Sequence, residues 1–192
     1  MVDVMKEMSI LVTMTAKGTI GDTIGQGSCA GSHLPSILNH FRHLTTRSLY
    51  PFPTKRNALI IGYRTWQQLY RKRQWPLRLS IVVRSRNWEE EEEEMDDIIF
   101  VKSFEEGYTK LVGMEEIDRI FVIGGRSIYE QALLHPQTTN IIVSLLHQNI
   151  VYKGDVMFPS ESADLFDVLQ SHKSDKHTDW TLVHFLRKKS VD

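Results

Sequence analysis

The chain has 192 residues, of which 41% are hydrophobic, 24% charged and 9% aromatic, with a formal net charge of −1. One globular domain over residues 1–192 is expected from that length, and a disulfide scaffold is excluded because Cys29 is the only cysteine. No apolar run approaches the ~18 residues of a membrane span, and the acids near the N-terminus do not fit a secretory signal. A soluble, cytoplasmic protein is the expectation.

Ile10-Leu11-Val12-Thr13-Met14 predicts a buried strand, followed by a turn at Lys17-Gly18. Residues 18–32 hold glycines at 18, 21, 25, 27 and 31, and predict no regular structure. Apolar residues at 34, 37, 38, 41 and 44 have the spacing of an amphipathic helix. Tyr50-Pro51-Phe52-Pro53 breaks the chain before a second buried strand over 57–62, a short helix over 65–70 and a strand over 79–83. Glu89 to Glu94 is an acidic run expected to be a solvated loop. A strand over 98–101, a helix over 104–112, a strand over 119–123 and a helix ending near 134 follow. Strand-like segments at 140–146, 151–158 and 180–186 complete the chain. Alternating strands and helices with a strand-rich end predict an α/β fold. Its sheet is mostly parallel with helices on both faces, and an antiparallel hairpin closes it.

Charge is segregated. Between Arg42 and Arg86 lie eleven Lys or Arg residues and no acid, while Glu89 to Asp118 holds thirteen acids against two lysines. The basic stretch is either a solvated face or a region that receives a small polyanion such as a nucleotide cofactor. Nucleic acid fits less well, because the sequence pI is near neutral at 6.7.

Three strand ends suit phosphate. Val122-Ile123-Gly124-Gly125-Arg126-Ser127-Ile128-Tyr129 runs from a strand through two glycines into a helix, whose first N–H groups can face an anion. Arg64-Thr65 opens a helix directly after Gly62, and Arg84-Ser85-Arg86 closes another strand. Together they predict nucleotide binding at the carboxyl edge of the sheet. Gly25-Gln26-Gly27-Ser28-Cys29-Ala30 only superficially matches the dinucleotide fingerprint, since no helix starts there and no acid follows at the required offset. No Cys or carboxylate near His33, His40 and His43 completes a metal-ligand set, and the sequence assigns Cys29 no basic partner to activate it.

In this order the pieces resemble the dihydrofolate reductase family, particularly its eukaryotic and fungal members, over about residues 9–187. The resemblance is carried by Ile20-Gly21, Phe41-Arg42-His43-Leu44-Thr45-Thr46 and Asn57-Ala58-Leu59-Ile60-Ile61-Gly62-Tyr63-Arg64-Thr65-Trp66. Pro76-Leu77-Arg78, Val122-Ile123-Gly124-Gly125 with Ile128-Tyr129, His135-Pro136, Gly154-Asp155 and Phe158-Pro159 complete it. It implies an eight-stranded sheet, NADPH as hydride donor, and a small-molecule substrate held by a monomer. Thr13, Ile20 and Gly21 would flank the nicotinamide, and Gly124, Gly125, Arg126, Ser127, Ile128 and Tyr129 the pyrophosphate. Arg64 and Thr65 would hold phosphates, and Arg84, Ser85 and Arg86 the 2′-phosphate. Leu38, Phe41, Leu69 and Ile123 would line the substrate side, and Arg78 would meet the folate α-carboxylate.

Counting back from Phe41, the family's acidic residue on the first helix falls at Ile37. Isoleucine cannot accept the hydrogen bonds of a pterin, which would leave donors unpaired at about 1–3 kcal/mol each. The family's loop tryptophan is absent, with Gly31 or Ser32 near its place, and Tyr63 replaces a basic residue of the phosphate-binding turn. Ser144 stands where the family has the threonine that supports the acid, and Asp22 is an acid within the glycine-rich loop. The resemblance therefore implies an NADPH-dependent reductase acting on an altered C=N or C=C substrate. The alternatives are a non-reductase homologue that keeps the pocket, and a dihydrofolate reductase of low efficiency.

Overall fold

The first apolar run becomes the central strand of the protein. A computed structural model describes residues 5–22, 29–48, 54–69, 75–84, 96–172 and 179–189. In it β1 (Met8–Thr15) lies between two parallel neighbours, β6 (Ile117–Val122) and β7 (Thr138–Leu146). Its two faces enter different layers. Ile10 and Val12 pack with α3 (Phe104–Val112) and α4 (Arg126–Leu134), whereas Leu11 packs with Trp66 and the inner face of α1 (Pro35–Thr46). A strand covered on both faces needs apolar side chains on both, so residues 10–12 read as a continuous run rather than an alternation.

Beyond β6 come β3 (Arg56–Gly62), β4 (Arg78–Val83) and β5 (Ile98–Val101), all parallel. On the other side, β10 (Trp180–Arg187) runs antiparallel to β7, and β9 (Phe166–His172) runs antiparallel to β10. The sheet order is β5-β4-β3-β6-β1-β7-β10-β9. The chain fills one side of β1 and then crosses to the other, so the carboxyl ends of β1 and β6 flank a crevice, the usual place for a ligand in such sheets.

The α2 helix (Tyr63–Leu69) follows β3 without a loop. α3 is capped by Ser103, whose hydroxyl accepts from Glu106 N at 3.1 Å. It lies so close to β4 that a Cβ on Gly107 would come within 2.6 Å of Ile81 Cγ2.

Two expectations change. Residues 19–21, inside the glycine-rich stretch, form a short strand, β2 (Thr19–Gly21), because Val156–Met157 (β8) supplies it with a partner. The strand expected over 151–158 shrinks to β8, and β9 arises where none was expected. β9 is an edge strand whose residues 167–171 are exposed on both faces, so it carries no alternation. The acidic run at 89–94, the Tyr50–Pro53 break and the Gly25–Gly27 loop lie outside the described residues. No helix among the described residues is long and apolar enough to cross a membrane.

Candidate functional site

A cleft of about 1200 Å³ opens where the crevice was expected, between α1 on one side and the β6–α4 turn on the other. At the turn, the backbone itself forms the wall. Gly62 N donates to Gly124 O at 2.6 Å, and the Gly124–Gly125 peptide is cis. Gly124 has φ 98°, and a Cβ there would sit 2.8 Å from the Tyr129 ring. A Cβ on Gly125 would sit 2.7 Å from Thr65 Oγ1. The intrahelical bonds of α4 begin when Ile128 N and Tyr129 N reach Gly125 O, both at 3.0 Å. The N–H groups of Arg126 and Ser127 precede those bonds, beside the cleft that both residues line.

Arg64, Thr65 and Arg84 reach the same half of the cleft from the ends of β3 and β4. The Arg84 guanidinium lies 5.4 Å from the Tyr63 ring centroid and 6.0 Å from that of Phe100. Tyr63 in turn stacks on Trp66 at 5.7 Å. An aromatic shelf therefore carries this cation. Two neighbours are otherwise engaged. Arg126 spends its guanidinium on Glu130 at 2.7 Å, Met157 O at 3.0 Å and Glu161 at 3.3 Å. Tyr129 is buried, and its hydroxyl donates to Leu11 O at 2.8 Å.

The α1 half is apolar. Ile37 is 5% exposed and packs with Ala30, Leu146 and Trp180. The loop closes tightly here, since a Cβ on Gly31 would meet Ile37 Cδ1 at 2.7 Å and Thr13 Cγ2 at 2.8 Å. Thr13 and Ser144 sit opposite each other in the β1–β7 register, and both line the cleft with Ile20, Gly21, Leu38, Phe41, Leu69 and Ile123. Cys29 is also at the wall, where burial pushes its thiol up to about 11. The carboxylates among the described lining residues are Asp22, just after β2, and Glu130, which is paired with Arg126. α1 contains none.

Of the residues expected at a site, Arg78 and Gly124 do not reach the cleft wall. Arg78 is 4% exposed and donates from Nη1 to Thr45 Oγ1 at 2.7 Å. Ser85 and Arg86 lie outside the described residues. Sequence reasoning missed Trp75, His40, Gln68 and Ile142, all of which line the cleft. Trp75 offered a signal, an aromatic residue next to Pro76 and three before Arg78, but it was hidden behind a run of basic residues. Among the described residues no group of three His, Cys, Asp or Glu could hold a metal ion.

This architecture, a mostly parallel α/β sheet with a cleft at its switch point and a glycine turn in its wall, defines the doubly wound class of folds. A family model for dihydrofolate reductase matches residues 7–187, and the chain belongs to that family. It is 30% identical over 130 residues to a dihydrofolate reductase of Candida albicans, covering 65% of this chain and 64% of that protein. It is 26% identical over 185 residues to one of Pneumocystis carinii, covering 91% and 84%. A bifunctional dihydrofolate reductase-thymidylate synthase of Acanthamoeba polyphaga mimivirus is 33% identical over 133 residues, covering 68% of this chain and 23% of that protein.

Proposed function

We propose that the protein is an NADPH-dependent reductase whose substrate differs from dihydrofolate. The observation that carries this reading is the contrast between the two halves of one cleft. The half around α4 offers a backbone cradle that a Cβ would fill, with two N–H groups and the cations Arg64 and Arg84, while the half along α1 holds no carboxylate among the described residues.

The α4 half suits a dinucleotide. Gly125 lets a pyrophosphate come against the backbone, and the N–H groups of Arg126 and Ser127 with the Thr65 hydroxyl would hold its oxygens. Arg64 and Arg84 would pair with the remaining phosphates as charge-assisted donors. The engaged guanidinium of Arg126 makes that residue's contribution a backbone one, and Tyr129 supports the turn from behind. NADPH held there would supply a hydride.

On the α1 side, Ile37 can neither accept a hydrogen bond nor hold a proton. A donor-rich ring pressed against it would exchange bonds to water for contact with methyl groups, at about 1–3 kcal/mol per unpaired donor. Ile37, Leu38 and Phe41 instead exclude water and orient an apolar or aromatic group, while Thr13 and Ser144 offer hydroxyls from the sheet. Water entering at the rim, where Asp22 stands, supplies the proton.

The test is NADPH binding, followed by NADPH oxidation with 7,8-dihydrofolate compared with NADPH alone. Binding with no added oxidation is expected. Clear turnover of dihydrofolate overturns the altered substrate, and absence of NADPH binding overturns the reductase reading.

A further inference from the structure

Two aromatic rings line the α1 half of the cleft, and a cation lies against one of them. Phe41 and Trp75 meet edge to face, their centroids 4.8 Å apart, and both line the cleft. Arg78 does not line it. Its guanidinium carbon lies 4.6 Å from the centroid of the Trp75 ring, so the indole stands between the charge and the opening. The guanidinium is fastened from other sides as well. Nη1 donates to Thr45 Oγ1 at 2.7 Å, and Nε donates to Pro76 O at 3.3 Å. Thr45 is itself fully buried and donates to Phe41 O at 2.8 Å, which ties the arginine to the helix that carries Phe41.

We infer that Trp75 is a specificity-determining residue that selects aryl-bearing ligands without an anionic tail. The inference rests on the reductase reading above and narrows its substrate class. A ligand ring can add to the Phe41–Trp75 pair in the edge-to-face or offset geometry that aromatic groups favour. The guanidinium on the far side draws on the indole face and holds it in place. A carboxylate brought to the same spot would lose water and meet carbon, because the donors that could replace that water lie behind the indole. Ile37 points the same way, since it gives no counter-charge to a cationic ring. Both features therefore suit an uncharged aromatic compound.

N-(4-Aminobenzoyl)-L-glutamate and its dimethyl ester form a matched pair of probes that share the aryl group, carry no pterin and differ by two negative charges. Calorimetric titration of each into the protein should give dissociation constants within about twofold of each other, since the Arg78 guanidinium lies behind the indole. Trp75→Ala uncovers Arg78, and the acid should then bind about tenfold more tightly than the ester. Trp75→Phe keeps a ring over the guanidinium and should behave as the parent does, which separates loss of the cover from loss of the fold. A parent protein that favours the acid by about tenfold overturns the inference. So does a Trp75→Ala protein with no preference, and so does failure of both probes to bind, because the aromatic pair would then hold no such group. NADPH is titrated separately. If it binds while the probes give an overturning result, only the selectivity falls; if it does not bind, the reductase reading falls.

Discussion

Tyr129 and Leu11 are joined by a 2.8 Å hydrogen bond that runs from the first turn of α4 to the carbonyl of the central strand. The same phenol ring lies 2.8 Å from where a Cβ on Gly124 would sit, so one side chain fixes both the glycine turn and its distance from β1. Tyr129→Phe keeps the ring and loses the bond. It should lower the unfolding free energy by about 1–2 kcal/mol in urea titrations and weaken NADPH less than it weakens the fold.

The alkaline limb of stability should be steep. Burial pushes the Cys29 thiol from 9.0 up to about 11, and burial followed by the charge of Cys29 pushes the Tyr129 phenol well above its usual range. Both shifts are upward, so the unfolded chain releases these protons first. The contribution is therefore whole below pH 9 and is lost as pH rises through 9 to 11 for the thiol, and higher for the phenol. Urea midpoints measured from pH 7 to 11 should fall over that window, and Cys29→Ala should delay the onset. An unchanged onset in the variant would refute the assignment.

Ile37→Glu places a carboxyl among Ala30, Leu146 and Trp180. The variant should lose about 2–4 kcal/mol of stability through burial of an acid in an apolar wall. If the missing acid is what bars dihydrofolate, the same variant should raise NADPH oxidation with dihydrofolate at least about tenfold over the parent, with an acid limb in its pH profile. Stability loss without any gain would show that the pocket has diverged beyond that one position.

Gly125→Ala sets a methyl 2.7 Å from the Thr65 hydroxyl. NADPH affinity should fall by about tenfold or more, since the added methyl also fills the cradle. Adding Thr65→Ala relieves the clash, so thermal stability should recover while NADPH affinity does not. Recovery of both would show that the turn serves packing alone.

Arg84→Ala removes a cation carried on the faces of Tyr63 and Phe100. The expected loss is about tenfold to a hundredfold in NADPH affinity, with NADH almost unaffected, because only the former brings the additional phosphate. Equal losses for both would move Arg84 from the 2′-phosphate to the diphosphate.

What the sequence made legible follows from how local each feature is. β6, its two glycines and α4 could be read from residues 119–134, because a buried run, a turn and a helix leave their marks within that segment. Ile37 could be placed by counting along one helix from Phe41. Trp75 could not, since its meaning depends on the approach to β4 lying against α1, a contact between segments some thirty residues apart. β9 stayed hidden for a different reason. Residues 167–171 are all exposed, so only the pairing with β10 makes it a strand. The resemblance set Tyr129 beside the pyrophosphate, and what no local pattern could reveal is that its hydroxyl donates to a carbonyl 118 residues away.

The order of the sheet also constrains the order of assembly. β1 is the earliest strand in the chain, yet its two neighbours are β6 and β7, which end at residues 122 and 146. During synthesis β3, β4 and β5 can pair as they emerge, while both edges of β1 wait unpaired for more than a hundred residues. Such distant closure slows folding and prolongs the exposure of an apolar segment. The strand at the centre of the finished molecule is thus the part of a nascent chain most in need of protection.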